Sequence, residues 1–211
     1  MLQLAWPDRP RARAKGTQLP SQLLQLPRTH DITHDIKWPL RCQGRSNRPS
    51  QAGAGLVAGV DAGWYNTCAL KADNSLWCWG VNNYGQLGDN LAESSSSVPV
   101  SVIGLGSGVV EVKAGWYHAC ARKTDGSLWC WGMGGSGQLG DGLQTGYYVP
   151  TAVPALSSGV AQVATGQSYS CARKTDGSLW CWGANGSGQL GDGTTNMRTT
   201  PTPVYGFGGC P

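Results

Sequence analysis

Cysteine is the residue type whose spacing in this sequence most clearly indicates chemistry. Six of the eight cysteines form pairs separated by ten residues, and the pairs themselves recur along the chain. The pairs are Cys68 and Cys78, Cys120 and Cys130, and Cys171 and Cys181. Thiols at a fixed spacing form either disulfides or metal sites. A closed zinc site needs four ligands and the sequence has no Cys-x-x-Cys, so the spacing favours disulfides.

The histidines are too dispersed to indicate catalysis or metal binding. His30 and His34 lie four residues apart in a short unit that is written twice, but a metal site needs three or four converging ligands. Within the repeated region the single histidine is His118, and the corresponding positions hold Asn66 and Tyr169. One histidine gives no paired nucleophile and base, so the sequence predicts neither an enzyme nor a metal site.

A glycine pattern is similar to a nucleotide-binding loop but lacks its context. Residues 135–140 and 186–191 match Gly-x-Gly-x-x-Gly, which in dinucleotide sites connects a strand to a helix. Here Asp-Gly follows without helical periodicity, and the first copy has Asn83 in place of the first glycine. The pattern therefore predicts a tight turn with glycines in the left-handed region, and no cofactor.

These cysteine pairs and glycine turns belong to one unit of 51 or 52 residues that occurs three times. Each unit also has a Trp-Cys-Trp segment, a Gly-Gln-Leu-Gly-Asp segment and a proline. They lie at 77–79, 129–131 and 180–182, at 85–89, 137–141 and 188–192, and at Pro99, Pro150 and Pro201. We therefore divide the chain into residues 1–52 and a repeat region, 53–211. Its units cover about 56–107, 108–158 and 159–211.

Each unit is predicted to form four short β-strands. In the second unit the first strand alternates over 110–114, and the second strand covers 117–123. The Thr-Asp-Gly turn at 124–126 leads into the third strand, 127–131. A weaker strand is expected after Pro150, because the edge of a sheet tolerates proline.

The turn fixes the register of the central hairpin. A three-residue loop that ends in a left-handed glycine places Lys123 opposite Ser127. Cys120 then faces Cys130 at a non-hydrogen-bonded position, where Cα atoms about 4.5 Å apart allow a disulfide. The same register sets every tryptophan of the hairpin opposite a small residue. The pairs are Ala121 and Trp129, Ala119 and Trp131, Ala69 and Trp77, Thr67 and Trp79, Ala172 and Trp180, and Ser170 and Trp182.

The state of the cysteines bears on where the protein works. Bridged cysteines belong in an oxidising environment, which favours a secreted or cell-surface protein. The alternative is reduced cysteine acting as a small buried hydrophobe. Cys42 and Cys210 are left over and could pair with each other across the ends of the domain.

Taken together, the motifs resemble the repeat of the regulator of chromosome condensation (RCC1) family. The resemblance rests on (His/Asn)-x-Cys-Ala, Asp-Gly-x-Leu-Trp-Cys-Trp-Gly and Gly-Gln-Leu-Gly-Asp, and it covers about residues 56–211. It implies an all-β fold, the β-propeller, which in this family is a ring of about seven four-stranded blades. Three units predict a partial β-propeller of three four-stranded RCC1-like blades, preceded by a disordered N-terminal segment. Further repeats or self-association are therefore expected to complete the ring.

The two parts of the chain differ in charge. Residues 1–50 have nine Lys and Arg against three Asp, a net charge of +6, whereas residues 51–211 have seven against nine, a net charge of −2. The prolines and basic residues of the first segment predict disorder, and its start does not read as a signal peptide. The repeats lack the basic stripe of a nucleic-acid-binding face. No apolar run is long enough to span a membrane.

One turn of each unit varies between the copies and carries aromatic residues, and the loops after the third strand vary as well. Aromatic side chains presented by a rigid scaffold suit protein recognition, so we predict that this turn binds a protein partner. The candidate residues are Trp64, Tyr65, Trp116, Tyr117, His118 and Tyr169. In the alternative interpretation, Trp64 and Trp116 fill the space between blades.

The sequence thus predicts a non-catalytic protein-binding propeller scaffold, extracellular or on the cell surface, whose partner it does not identify. One alternative is guanine-nucleotide exchange on a small GTPase, which the resemblance implies and which would need reduced thiols and a full ring. Another is lectin-like ligand binding through the repeated indoles. Fold resemblance by itself does not choose between these functions.

Overall fold

Twelve β-strands and one 3₁₀ helix make up the part of the chain that the computed structural model describes, residues 55–91 and 94–207. The strands are β1 (Val57–Ala62), β2 (Asn66–Lys71), β3 (Leu76–Gly80), β4 (Ser96–Ser101), β5 (Val109–Ala114), β6 (His118–Lys123), β7 (Leu128–Gly132), β8 (Tyr147–Ala152), β9 (Val160–Thr165), β10 (Tyr169–Lys174), β11 (Leu179–Gly183) and β12 (Arg198–Pro203). The helix, Pro154–Leu156, follows β8.

Three antiparallel sheets of four strands account for all twelve strands, and within each sheet the strands pair in sequence order. They are the three predicted blades: β1–β4, β5–β8 and β9–β12. The disorder predicted for residues 1–52 and the pairing considered for Cys42 and Cys210 lie outside the described residues. In the described part of the chain, no helix has the length and apolar character needed to cross a membrane.

The predicted register of the central hairpin is confirmed in all three blades. In the second blade Cys120 pairs with Cys130, and Ala119 pairs with Trp131. Gly126 closes the connecting turn in the left-handed region, at a φ of 76°. Local turn chemistry therefore fixes which side chains face each other across each blade.

The position of the repeated proline differs from the prediction. A strand was expected after it, but Pro99, Pro150 and Pro201 are each the fourth residue of the blade's last strand. That strand has a neighbour on one side only, so some of its backbone N–H groups are not needed for the sheet. A residue without an N–H group fits there, and the strand begins earlier than the sequence pattern suggests.

The apolar core lies between the blades. Leu76 and Leu87 of the first blade form one buried cluster with Val112 and Trp131 of the second. The seam between the second and third blades repeats this arrangement with Leu128, Leu139, Val153, Val160, Val163 and Trp182. Since each blade buries its apolar residues against the next, the blades stabilise one another in series.

A hydrogen bond of the same kind crosses both seams. The indole N–H of Trp131 donates to the carbonyl of Gln86 over 3.0 Å, and that of Trp182 donates to the carbonyl of Gln138 over 2.9 Å. A Cβ on Gly88 would lie 2.8 Å from the Trp131 indole nitrogen, so the closeness of the indole requires glycine there. The Gly-Gln-Leu-Gly segment of one blade and the second tryptophan of the next thus form one inter-blade joint.

Among the residues that the structure describes, no further blade covers the outer faces of the first and third blades. Val57 and Val60 are 62% and 64% exposed, whereas Val109 and Val112, at the same positions of the second blade, are 1% and 6% exposed. At the other end Gln189 is exposed, although its counterparts in the first two blades are buried under a tryptophan. Each of these two faces therefore carries the residues that form one side of an inter-blade joint.

Candidate protein-binding surface

The six repeated cysteines form a cross-strand bridge at the centre of each blade. Cys68 is joined to Cys78, Cys120 to Cys130, and Cys171 to Cys181, each with a Cα separation of 4.1 Å. The sulfurs of the first two blades are fully buried. The bridges therefore fasten the hairpins that position the variable turns.

Replacing Cys120 and Cys130 together by alanine is expected to lower the free energy of unfolding by about 2–3 kcal/mol, because the closed loop is short and the bridge restricts the unfolded chain. Urea denaturation measures the change. Added reductant should destabilise the wild-type chain more than this variant, which has one bridge fewer to lose. Six reactive thiols in the native protein, instead of three peptides linked within their own repeats, would contradict the pairing.

Five aromatic side chains from the first two blades form one continuous surface, the aromatic strip: Trp64, Tyr65, Tyr84, Trp116 and Tyr117. The ring centroids of Trp64 and Trp116 are 3.7 Å apart, and Tyr65 stacks on Trp64 at 4.7 Å. Tyr84 meets the edge of Tyr117 at 5.1 Å. Trp64 and Tyr65 are both 49% exposed and Tyr84 is 43% exposed. Part of each of these three side chains is therefore accessible to solvent.

Tight turns at the ends of the first strands bring the strip together. The N–H groups of Gly63 and Gly115 donate to the carbonyls of Asn66 and His118, both over 2.8 Å, and so reverse the chain between strands. A Cβ on Gly63 would collide with the Gly115 carbonyl oxygen. The backbones of the two turns are therefore in contact. This brings together Trp64 and Trp116, which directly follow these glycines in the sequence.

Two open cavities flank the strip. One, of about 280 Å³, lies beside Trp64 and Trp116 and extends to Gln167 of the third blade. The other, of about 290 Å³, lies between Tyr84 and Tyr148 over Met133 and neighbouring glycines. Each cavity therefore shares residues with the strip: Trp64 and Trp116 line the first, and Tyr84 lines the second.

His118 is not part of the strip, which corrects the sequence prediction. It begins β6, is fully buried, and contacts Ser170 of the third blade, with 2.9 Å between the imidazole Nε2 and the hydroxyl oxygen. The Ser170 hydroxyl donates to the Gln138 carbonyl over 2.9 Å, so His118 must donate its Nε2 proton to the hydroxyl. Burial lowers the pKa of His118 from 6.5 to about 4, and the imidazole is therefore neutral.

Tyr169, the sixth candidate, also lies apart from the strip. It occupies the position of His118 in the third blade and packs, half-buried, against Cys181, Leu190 and Val204. The ring also covers Gly166, where a Cβ would collide with it. Strand position therefore directs His118 into the seam with the third blade and Tyr169 onto the apolar residues of its own blade, while Trp64 and Tyr65 of the turns are half-exposed.

Tyr84, Tyr148 and Met133 were not among the predicted residues. They lie outside the aromatic turns in the sequence, and the packing of the first two blades brings them together at the second cavity. Variation of the loops after β3 and β7 was the one signal that could have indicated them. Within the described residues, no three His, Cys, Asp or Glu side chains converge where they could hold a metal ion.

The repeat itself can be compared with known families. A model of the regulator of chromosome condensation (RCC1) repeat matches residues 73–122, 125–173 and 176–211, and a second model of this repeat matches 57–86, 109–138 and 160–189. The chain belongs to the RCC1 repeat family. The predicted fold class, all-β with three four-stranded RCC1-like blades, is confirmed by these matches and by the three sheets.

Three similar proteins illustrate the comparison. The RCC1 domain-containing protein RUG3, mitochondrial, of Arabidopsis thaliana is 37% identical over 153 residues, which cover 70% of this chain and 34% of RUG3. The crystal structure of human WBSCR16 matches with a TM-score of 0.63 and 27% identity, over 70% of this chain and 39% of that one. Yeast RCC1 (Prp20), solved bound to Kap60, matches with a TM-score of 0.61 and 25% identity, over 70% and 37%. This chain thus spans about a third of the length of RUG3.

Proposed function

We propose that this RCC1 repeat chain is a non-catalytic scaffold that binds a partner protein through the aromatic strip. The observation that supports the proposal is the exposed run from Trp64 to Tyr84, held at fixed positions by paired turns and buried joints. Aromatic side chains bury a large area on binding and lose little side-chain entropy. Yeast RCC1 (Prp20) is bound to Kap60 in its crystal structure, which gives a relative that engages another protein.

The non-catalytic part of the proposal draws on the environment of His118. Its contact with Ser170 pairs an imidazole with a hydroxyl, as in many hydrolases, but both residues are fully buried. The hydroxyl proton is already given to Gln138 and the imidazole is the donor, so the imidazole is oriented opposite to a general base. The pair supports the seam between two blades.

We propose an oxidising compartment, at the cell surface or outside the cell. The support is the face-to-face position of the cysteines in all three blades, which allows each blade to form its own bridge. The thiol and peptide mapping described above tests this proposal.

We also propose that the open blade faces receive further blades, from a longer chain or from a second copy. Val57 and Val60 stand exposed at positions that are covered in the next blade. Sedimentation at rising concentration should show self-association of the isolated chain that Val60→Asp weakens. A monodisperse wild-type monomer that resists proteolysis would count against this proposal.

Trp64→Ala is expected to weaken partner binding by about 1–2 kcal/mol while leaving the unfolding transition almost unchanged, because Trp64 is half-exposed in a turn. Binders selected from a displayed peptide library on the wild-type chain supply the partners, and titration calorimetry measures their affinities. Tyr205→Ala is the control, since Tyr205 is 79% exposed and belongs to the third blade. Equal losses in both variants, or none in Trp64→Ala, would exclude the strip as the binding surface.

A further inference from the structure

We propose that the segment recognised by the aromatic strip is a basic, extended peptide whose arginine side chains stack on the strip. This inference rests on the proposed function, because it names the chemistry of the partner for the same surface. Three observations support it: the strand topology, the distribution of ion pairs, and the cavities beside the strip.

The strand order places the strip on one particular side of the blades. β1 ends and β2 begins at the strip, and β3 runs back toward it, so the loops that follow β3, β7 and β11 lie on the strip side. The turns between β2 and β3, β6 and β7, and β10 and β11 lie on the opposite side. Lys71, Lys123 and Lys174 end the strands that lead into those turns.

The loops on the strip side carry one aspartate each, Asp89, Asp141 and Asp192. Asp192 forms an ion pair with Arg198 over 2.6 Å. Asp89 and Asp141 belong to the two blades that build the strip, and neither has a cationic partner among the described residues. The remaining described lysine, Lys113, pairs with Asp61 over 3.5 Å. The opposite turns also carry one aspartate each, Asp73, Asp125 and Asp176, but each of these has a neighbouring lysine. The strip therefore lies on the side of the blades where carboxylates outnumber cations among the described residues.

Aromatic rings together with carboxylates on the same side of the blades favour a cationic ligand. A guanidinium group stacks on tryptophan and tyrosine rings, and carboxylates on the same side of the blades attract the same cation. Two cavities that each share residues with the strip also suit an extended chain that sets side chains into both of them. An aromatic surface without this charge would fit a proline-rich peptide as well. Asp89 and Asp141 accept hydrogen bonds within their own loops but have no cationic partner among the described residues, and this favours a basic peptide.

The test compares three short peptides on the full chain by titration calorimetry, with tryptophan fluorescence as a second signal. One alternates arginine and glycine, the second has neutral citrulline in place of arginine, and the third is proline-rich. The arginine peptide is expected to bind at least about tenfold more tightly than the citrulline peptide. Its affinity should fall as salt is raised, because salt screens exposed charges.

Variants locate the binding. Trp64→Leu is expected to weaken the arginine peptide about tenfold, and Asp89→Asn should weaken it several-fold. Asp125→Asn makes the same charge change on the opposite side of the blades and should leave the affinity nearly unchanged.

The possible outcomes distinguish a failure of this inference from a failure of the proposed function. If the citrulline or proline-rich peptide binds as tightly as the arginine peptide and Trp64→Leu weakens it, the basic partner is wrong and the binding surface stands. No binding of the arginine peptide, or equal effects of Asp89→Asn and Asp125→Asn, also overturns the basic partner. If the library-selected binders keep their affinity for every variant of the strip, the proposed function itself is wrong.

Discussion

Replacing Trp131 by alanine is expected to lower the free energy of unfolding by about 3–5 kcal/mol. The indole is completely buried in the seam between the first and second blades, beside Leu87 and Val112. Its N–H also satisfies the Gln86 carbonyl, which would be left without that donor. Urea denaturation followed by circular dichroism measures the loss.

Two variants separate the parts of this effect. Trp79→Ala removes the equivalent tryptophan of the first blade. Its indole is only partly buried, so the free energy of unfolding should fall much less. Trp131→Phe retains most of the ring but not the N–H donor, and an intermediate loss is expected. If Trp79→Ala destabilises the chain as much as Trp131→Ala, the seam does not determine stability and the inter-blade joint has been given too much weight.

Acidification from pH 6.5 to about 4 is expected to destabilise the chain by about 3 kcal/mol through His118 alone. Burial holds the pKa of His118 at about 4 in the folded chain, against 6.5 when it is free. Between these values the unfolded chain binds a proton that the folded chain does not. This stabilisation is therefore complete above pH 6.5 and is lost as the pH falls toward 4.

The measurement is urea denaturation across this pH interval for the wild-type chain and for His118→Asn, which introduces the residue of the first blade. The difference between the two should shrink as the pH falls. Asp192 acts at lower pH: burial favours a raised pKa, but hydrogen bonds from Thr194 and Arg198 bring it to about 2. Parallel pH dependences of the wild-type chain and the variant would contradict the role given to His118.

The blades could be predicted from the sequence because each depends on local chemistry that is repeated three times. The glycine at position 126 sets the turn, the turn sets the pairing of Cys120 with Cys130, and this pairing sets Ala119 opposite Trp131. Each of these steps spans only a few residues. A repeated signal of this kind needs no knowledge of how the blades meet.

The contacts between blades could not be predicted in this way. Whether His118 faces solvent or Ser170 depends on the angle between two sheets, which the spacing of residues along one strand does not specify. The same holds for Tyr84, which reaches Tyr117 only after the first two blades have packed. The sequence therefore placed Trp64, Tyr65, Trp116 and Tyr117 on one kind of turn, and the structure brings their rings together, but the sequence did not indicate that Tyr84 joins them.

The inter-blade joint also bears on how such a chain can change in evolution. Every repeat carries a Gly-Gln-Leu-Gly segment and a second tryptophan, and at both seams the tryptophan of one repeat enters the segment of the previous one. An in-frame duplication or deletion of one whole repeat leaves each remaining neighbour with a complementary surface. Recombination between repeats can therefore alter the number of blades without any compensating substitution, and the variable turns can diversify while the joints stay the same.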